Sequence, residues 1–199
     1  MSRKLNLVYA ENTLRDKGVK IVTPLQFRRL FDVSSVSAQK FLERYTKKGV
    51  FERVKKGFYI YKSQPPSVFL LANKLYEPSY ISFDAALSYH NLIPETVYGV
   101  TSATTKPTRE FAWGQTIFSY RTIKKESFTG YGLVSIGEEA VLMADKEKAV
   151  VDFLYFVSLG ERRSNDRMKT EGLDREKLKE FAALYQRDSL EELIHALFD

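Results

Sequence analysis

From residue 36 onward the apolar positions Ala38, Phe41, Leu42 and Tyr45 fall at i, i+3, i+4 and i+7. That stripe predicts an amphipathic helix over Val36–Lys48, closed by Gly49. Just upstream, "PLQFRRLF" offers Leu25, Phe27, Leu30 and Phe31 as apolar contacts. Thr23 can cap that helix, Pro24 fits its first position, and "DVSS" breaks it. A first helix is expected over residues 3–16, where Leu5, Val8, Tyr9 and Asn12 recur at helical spacing before Gly18. After Gly49 the period changes to two. "VFERV" and "FYIYK" predict a hairpin of Val50–Val54 and Phe58–Lys62 around "KKG", with Gly57 supplying the turn conformation. Alternation puts Phe58 and Ile60 on one face and Tyr59 and Tyr61 on the other, and Phe58 and Ile60 are expected inside.

Prolines 65 and 66, within "KSQPPSV", oppose both helix and central strand, which places a boundary at about Gln64 between domains 1–63 and 64–199. Beyond it, "PSVFLLANKLY" and "SFDAALSYHNL" read as helices, the second with Ser82 as cap and Asp84 in its first turn. "TVYGVTSAT", "TIFSYRTI" and "GYGLVSIG" read as strands. "DKEKAVVDFLYFVS" reads as an apolar helix capped by Asp145, and short helices follow at about 173–186 and 189–197. The fold class is α+β: an N-terminal winged helix-turn-helix, then a mixed α/β C-terminal domain.

Charge sharpens this division. Residues 1–63 hold 15 Lys/Arg against 5 Asp/Glu, a balance of +10, and residues 64–199 hold 16 against 20, a balance of −4. A basic half joined to an acidic one points to a polyanion contact confined to the first. The chain has no cysteine, which excludes disulfides and thiolate metal sites and agrees with a cytoplasmic location. The N-terminal stretch is not apolar enough for a signal peptide, and no apolar run reaches membrane-spanning length.

Two helices joined by a short turn, then a basic-tipped hairpin, form the helix-turn-helix plus wing pattern. With its stripe packed inward, the third helix presents Ser37, Lys40, Arg44 and Lys47 outward. A helix fits the DNA major groove and reads base edges with its N-terminal residues. Ser35, Ser37, Gln39 and Lys40 are therefore assigned to the groove, and Arg44 to a base or a phosphate. Lys47, Arg28 and Arg29 are assigned to phosphates, and the hairpin lysines Lys55 and Lys56 to a phosphate or the minor groove.

Signals for catalysis are weak, and no cofactor or metal is expected. His90 and His195 lack further ligands at metal-site spacing, and "TGYG" does not match a phosphate-binding loop. Glu138 and Glu139 are adjacent, a poor spacing for an acid/base pair if helical. Asp145, Glu147 and Lys148 could imitate part of a nuclease site but read more simply as a helix first turn.

Three segments together are similar to the AbiEi antitoxins, transcriptional regulators of type IV (AbiE-like) toxin–antitoxin systems. They are "YIS" followed by "AAL" and "LIP" within residues 80–94, "VTSATTKPTREF" at 100–111, and "DKEKAVVDFLYF" at 145–156. The resemblance covers about residues 5–160. It implies a non-enzymatic autorepressor that binds its own promoter as double-stranded DNA, usually at inverted repeats. It also implies an antitoxin domain that counters a nucleotidyltransferase toxin without stable binding. Lys106, Arg109 and Arg121 lie in or near the matching motif and are the antitoxicity candidates. The alternatives are a metal-dependent nuclease with a DNA-docking winged helix, and a winged helix that binds a protein partner.

Overall fold

A computed structural model describes residues 5–198 of the chain. The chain divides into two compact units, Met1–Ser67 and Val68–Asp199.

The first unit runs α1 (Leu7–Asp16), β1 (Ile21–Val22), α2 (Pro24–Phe31), α3 (Ser35–Lys47), β2 (Phe51–Lys55) and β3 (Phe58–Tyr61). Each helix starts on a side-chain cap: Asn6 for α1, Thr23 for α2 and Ser34 for α3. Thr23 and Gln26 form a full capping box, with Pro24 at the first helical position. The predicted start of the first helix at residue 3 lies outside the described residues. Ala10, Leu14, Phe27, Phe31, Ala38, Leu42 and Phe51 fill one core, in which the ring centroids of Phe27 and Phe31 lie 4.4 Å apart. Two expected core positions are instead exposed. Val8 (66%) sits off the Ala10–Leu14 stripe, and Leu25 (50%) lies in the first turn of α2, away from Phe27 and Phe31.

The sheet is antiparallel in the order β1-β3-β2. Strand β1 is too short to leave a periodic signal, yet its pairs Ile21↔Ile60 and Val22↔Tyr59 make β3 the central strand. The expected facing of β3 is reversed. Tyr59 and Tyr61 enter the helix-facing core, Ile60 is buried on the other face, and Phe58 is half-buried. A tyrosine can point inward when its hydroxyl finds a polar partner. Here the Tyr61 hydroxyl donates to Glu11 at 3.3 Å, and the Tyr59 hydroxyl accepts from Gln39 at 3.3 Å.

The second unit runs α4 (Val68–Leu75), β4 (Ser79–Ile81), α5 (Phe83–Tyr89), β5 (Val100–Thr104), β6 (Arg109–Trp113), β7 (Thr116–Thr122), β8 (Tyr131–Ile136), β9 (Glu139–Ala144), α6 (Lys146–Ser158), α7 (Arg175–Ala183) and α8 (Asp188–Ala196). Its mixed sheet has the order β6-β7-β5-β4-β9-β8, with β4–β9 and β5–β7 parallel. Register and alternation place Tyr80, Ala103, Arg121, Tyr131 and Ala144 on one face, toward α6. Ser79, Ile81, Ser102, Tyr120 and Arg109 take the other face, where the Tyr120 hydroxyl donates to the Ala72 carbonyl of α4 at 2.6 Å. Glu138 and Glu139 lie on no helix: Gly137 and Glu138 turn the β8–β9 hairpin, and Ile136 pairs with Glu139.

One carboxylate organises this unit. Asp152 is fully buried on α6 and accepts from the Tyr80 hydroxyl (2.9 Å), the Ser82 hydroxyl (2.7 Å), the Tyr185 hydroxyl (2.6 Å) and the Lys148 ammonium one helical turn away. Lys148 also donates to Tyr185 at 3.2 Å. Burial lowers the Lys148 pKa, opposed by the Asp152 charge. Burial, reinforced by that same charge, pushes the Tyr80 and Tyr185 hydroxyls well above their ordinary value. The hub recruits Ser82 away from capping: Ser82 and Asp145 occupy the N-cap positions of α5 and α6 but make no side-chain capping bond. Gly130 lets α7 close over this side, because its φ is +71° and an added Cβ would lie 2.7 Å from the Phe181 ring.

Asp152→Ala is expected to destabilise the protein by about 3–5 kcal/mol, since it strands a buried ammonium. Asp152→Leu combined with Lys148→Met is expected to recover only part of that loss. The hydroxyls of Tyr80, Ser82 and Tyr185 would still lack their acceptor, which keeps the double variant less stable than the parent. Urea unfolding of the two variants beside the parent checks both statements.

Candidate functional site

In the basic half of the chain the candidate residues sit on α2, α3 and the hairpin of one unit. Asp32 ends α2 in the left-handed conformation (φ 49°), which turns the chain into α3. Ser34 caps α3 by accepting from the Ser37 amide at 3.1 Å, and its hydroxyl donates to the Ser37 hydroxyl at 2.9 Å. Arg28 spans the turn, with Nη1 3.3 Å from the Ser35 hydroxyl. Because Ala38 and Leu42 are buried, Ser35, Ser37, Lys40, Arg44 and Lys47 are exposed along the outer face of α3. Gln39 stands apart from them. It is half-buried and turned toward the hairpin, donating to Glu43 at 2.5 Å and to the Tyr59 hydroxyl.

The two hairpin lysines differ. A register shift between Arg53 and Lys55 leaves Lys55 at the end of β2, opposite Phe58, with its ammonium 5.1 Å from that ring's centroid. Lys56 and Gly57 form the turn, Gly57 at φ 73°, and Lys56 is exposed. Among the described residues, Arg28, Arg29, Lys40, Arg44, Lys47 and Lys56 have no carboxylate in ion-pair range. Unneutralised cations gathered in one unit create a positive potential that an anionic polymer can meet at several points.

Sequence periodicity missed Val36. It is 62% exposed, in the first turn of α3 between Ser35 and Ser37. An apolar residue opening a helix is naturally read as core; its position off the Ala38–Leu42 stripe is the signal that separates it.

In the second unit the three basic candidates do not meet. Lys106 and Arg109 are exposed and converge on Tyr76, with the ammonium 5.3 Å and the guanidinium 5.6 Å from the ring centroid. Arg121 lies on the opposite sheet face, paired with Glu161 at 2.8 Å and 4.9 Å over Phe156. Two other titratable candidates make contacts within the fold. His90 Nε2 lies 2.9 Å from the Ala144 carbonyl, and buried Glu147 accepts from the Asp174 amide at 3.1 Å. Among the described residues, no three His, Asp or Glu side chains are grouped to hold a metal ion, and no helix is long and apolar enough to cross a membrane.

No protein-family model matches the chain, and no curated protein matches it.

Ser34→Ala is expected to cost about 1 kcal/mol through loss of the α3 cap. Faster hydrogen exchange confined to the first-turn amides of α3, with that drop in stability, checks the assignment.

Proposed function

We propose that the first unit is a winged helix that binds duplex DNA, and that the protein is a DNA-binding autorepressor and the antitoxin of a type IV (AbiE-like) system. The observation that carries the DNA reading is the exposed face of α3, basic and unpaired, lying in the same unit as the Lys56 hairpin tip. The order helix, strand, helix, helix, strand, strand, with a β1-β3-β2 sheet, supports the winged-helix assignment. In this reading α3 enters the major groove. Lys40 and Arg44 offer donors to guanine, and Ser35 and Ser37 donate to base edges or phosphates. Val36 is shaped to contact a thymine methyl. Arg28, Arg29 and Lys47 position the module on phosphates, and the hairpin contacts backbone or minor groove through Lys55 and Lys56. Gln39 supports the hairpin through Tyr59 and reads adenine only if it exchanges that bond.

The antitoxin reading rests on the three-segment resemblance. The residues that carry it include Tyr80, Ser82, Lys148 and Asp152, which meet at one buried point. In this chain these motif residues serve the core of the second unit, while the surface around Lys106 and Arg109 is where countering a nucleotidyltransferase toxin would act.

Gel shifts with the DNA upstream of the protein's own gene, against random DNA at about 150 mM salt, test the repressor reading. Preferential binding to the upstream DNA is expected, and equal binding to both contradicts it. Lys55→Ala with Lys56→Ala is expected to weaken binding alike on all sequences and to lower the salt slope by up to about two. Altered sequence preference at an unchanged slope would mean that the hairpin reads bases.

A further inference from the structure

The second unit carries a surface of different chemistry at the β6 edge of its sheet. Strand β6 has a neighbour on one side only, β7. Alternation puts Arg109, Phe111 and Trp113 on one face of it, and Phe111 and Trp113 are each partly buried, leaving part of each ring accessible. Successive residues on that face are about 6.6 Å apart along the strand, a spacing that an extended, unstacked nucleotide chain can follow. Tyr76 backs the row: its centroid lies 6.0 Å from that of Phe111, and its hydroxyl donates to the Pro107 carbonyl at 3.1 Å. Its ring is in turn flanked by Lys106 and Arg109.

The local charge is uncompensated. Among the described residues, neither Lys106 nor Arg109 has a carboxylate in ion-pair range, and the Lys106 ammonium is held by the Glu77 backbone carbonyl. The Glu77 carboxylate is taken by Lys74 at 2.9 Å. Glu110 lies on the opposite face of β6, where it accepts from Ser119 at 2.7 Å. The patch is therefore cationic on a unit whose net charge is −4. A duplex hides its base faces, so aromatic side chains at a sheet edge gain nothing from one; a single strand offers both bases to stack and phosphates to neutralise.

We propose that Tyr76, Lys106, Arg109, Phe111 and Trp113 form a binding platform for single-stranded nucleic acid. Bases stack on Phe111 and Trp113, and Lys106 and Arg109, oriented by Tyr76, meet the adjoining phosphates. The platform stands on the second unit alone and does not depend on duplex binding by the first.

Trp113 is the chain's single tryptophan, so its emission reports this site alone. The full-length chain is titrated with 12-nucleotide oligouridine and with 12-nucleotide oligothymidine, both with excess unlabelled random duplex present. Saturable quenching of Trp113 by at least one of them is expected, and the tighter of the two identifies RNA or DNA as the source of the strand. Lys106→Ala with Arg109→Ala, both at exposed positions, is expected to weaken that binding at least about tenfold and to lower its salt slope by about 1.4, at about 0.7 per phosphate. The Lys55→Ala, Lys56→Ala variant is expected to bind the oligomers as the parent does. Absence of quenching by either oligomer overturns the proposal, as does binding indifferent to Lys106 and Arg109 or abolished by the hairpin change. Equal quenching by inorganic polyphosphate of matched charge also overturns it, since that would show an anion patch without base stacking.

Discussion

Burying Asp152 forces nearly everything around it. A carboxylate removed from water must have its charge met and its lone pairs filled, or it costs several kcal/mol. Lys148 supplies the charge from one turn away on the same helix, and Tyr80, Ser82 and Tyr185 supply hydroxyls from β4, from the turn into α5, and from the segment between α7 and α8. Elements distant in sequence are thereby fixed to α6 by directional bonds, where apolar contact alone would tolerate sliding. The same logic recurs wherever this protein buries a tyrosine. Tyr59, Tyr61, Tyr80, Tyr120 and Tyr185 are its largest fully buried side chains, and each hydroxyl has a named partner.

In the first unit this constraint reaches the surface. Tyr59 holds the hairpin to α3 through Gln39, and Gln39 in turn engages Glu43. The hairpin is thus placed by a polar contact as well as by the core. Burial of Ala38 and Leu42 fixes the rotation of α3, and that rotation alone decides that Lys40, Arg44 and Lys47 face outward. The candidate face is what remains after the core is satisfied: Lys40, Arg44 and Lys47 stay outside ion-pair range of any described carboxylate, although Glu43, which accepts from Gln39, is exposed on the same helix.

Long periodic segments were legible in the sequence. The stripe of α3, the Thr23–Pro24 start of α2 and the apolar run of α6 each announce their element. What stayed hidden has a physical reason in each case. Strands β1 and β4 have two and three residues, too few for a period. Strand β6 sits at an edge with both faces partly wet, so "REFAW" shows no clear apolar side. The inward turn of Tyr59 and Tyr61 depends on Gln39 and Glu11, partners far away in the chain. Asp152 is bonded to residues up to 72 positions away, beyond the reach of any local pattern. For the candidate site, the basic outer face of α3 and the off-stripe position of Val36 could be read from spacing, while the different settings of Lys55 and Lys56 required the fold. Lys106 and Arg109 were legible as charges, and their shared contact with Tyr76 was not.

The central claim is that the outer face of α3 and the hairpin tip meet duplex DNA. Amide chemical-shift mapping of the full-length chain on the duplex upstream of its gene tests this most directly. The account predicts that the largest changes fall on Val36, Ser37, Lys40, Arg44, Lys56 and Gly57, with the inward-facing Ala10 and Leu14 of α1 little changed. Changes centred elsewhere, with the α3 amides unmoved, would contradict it.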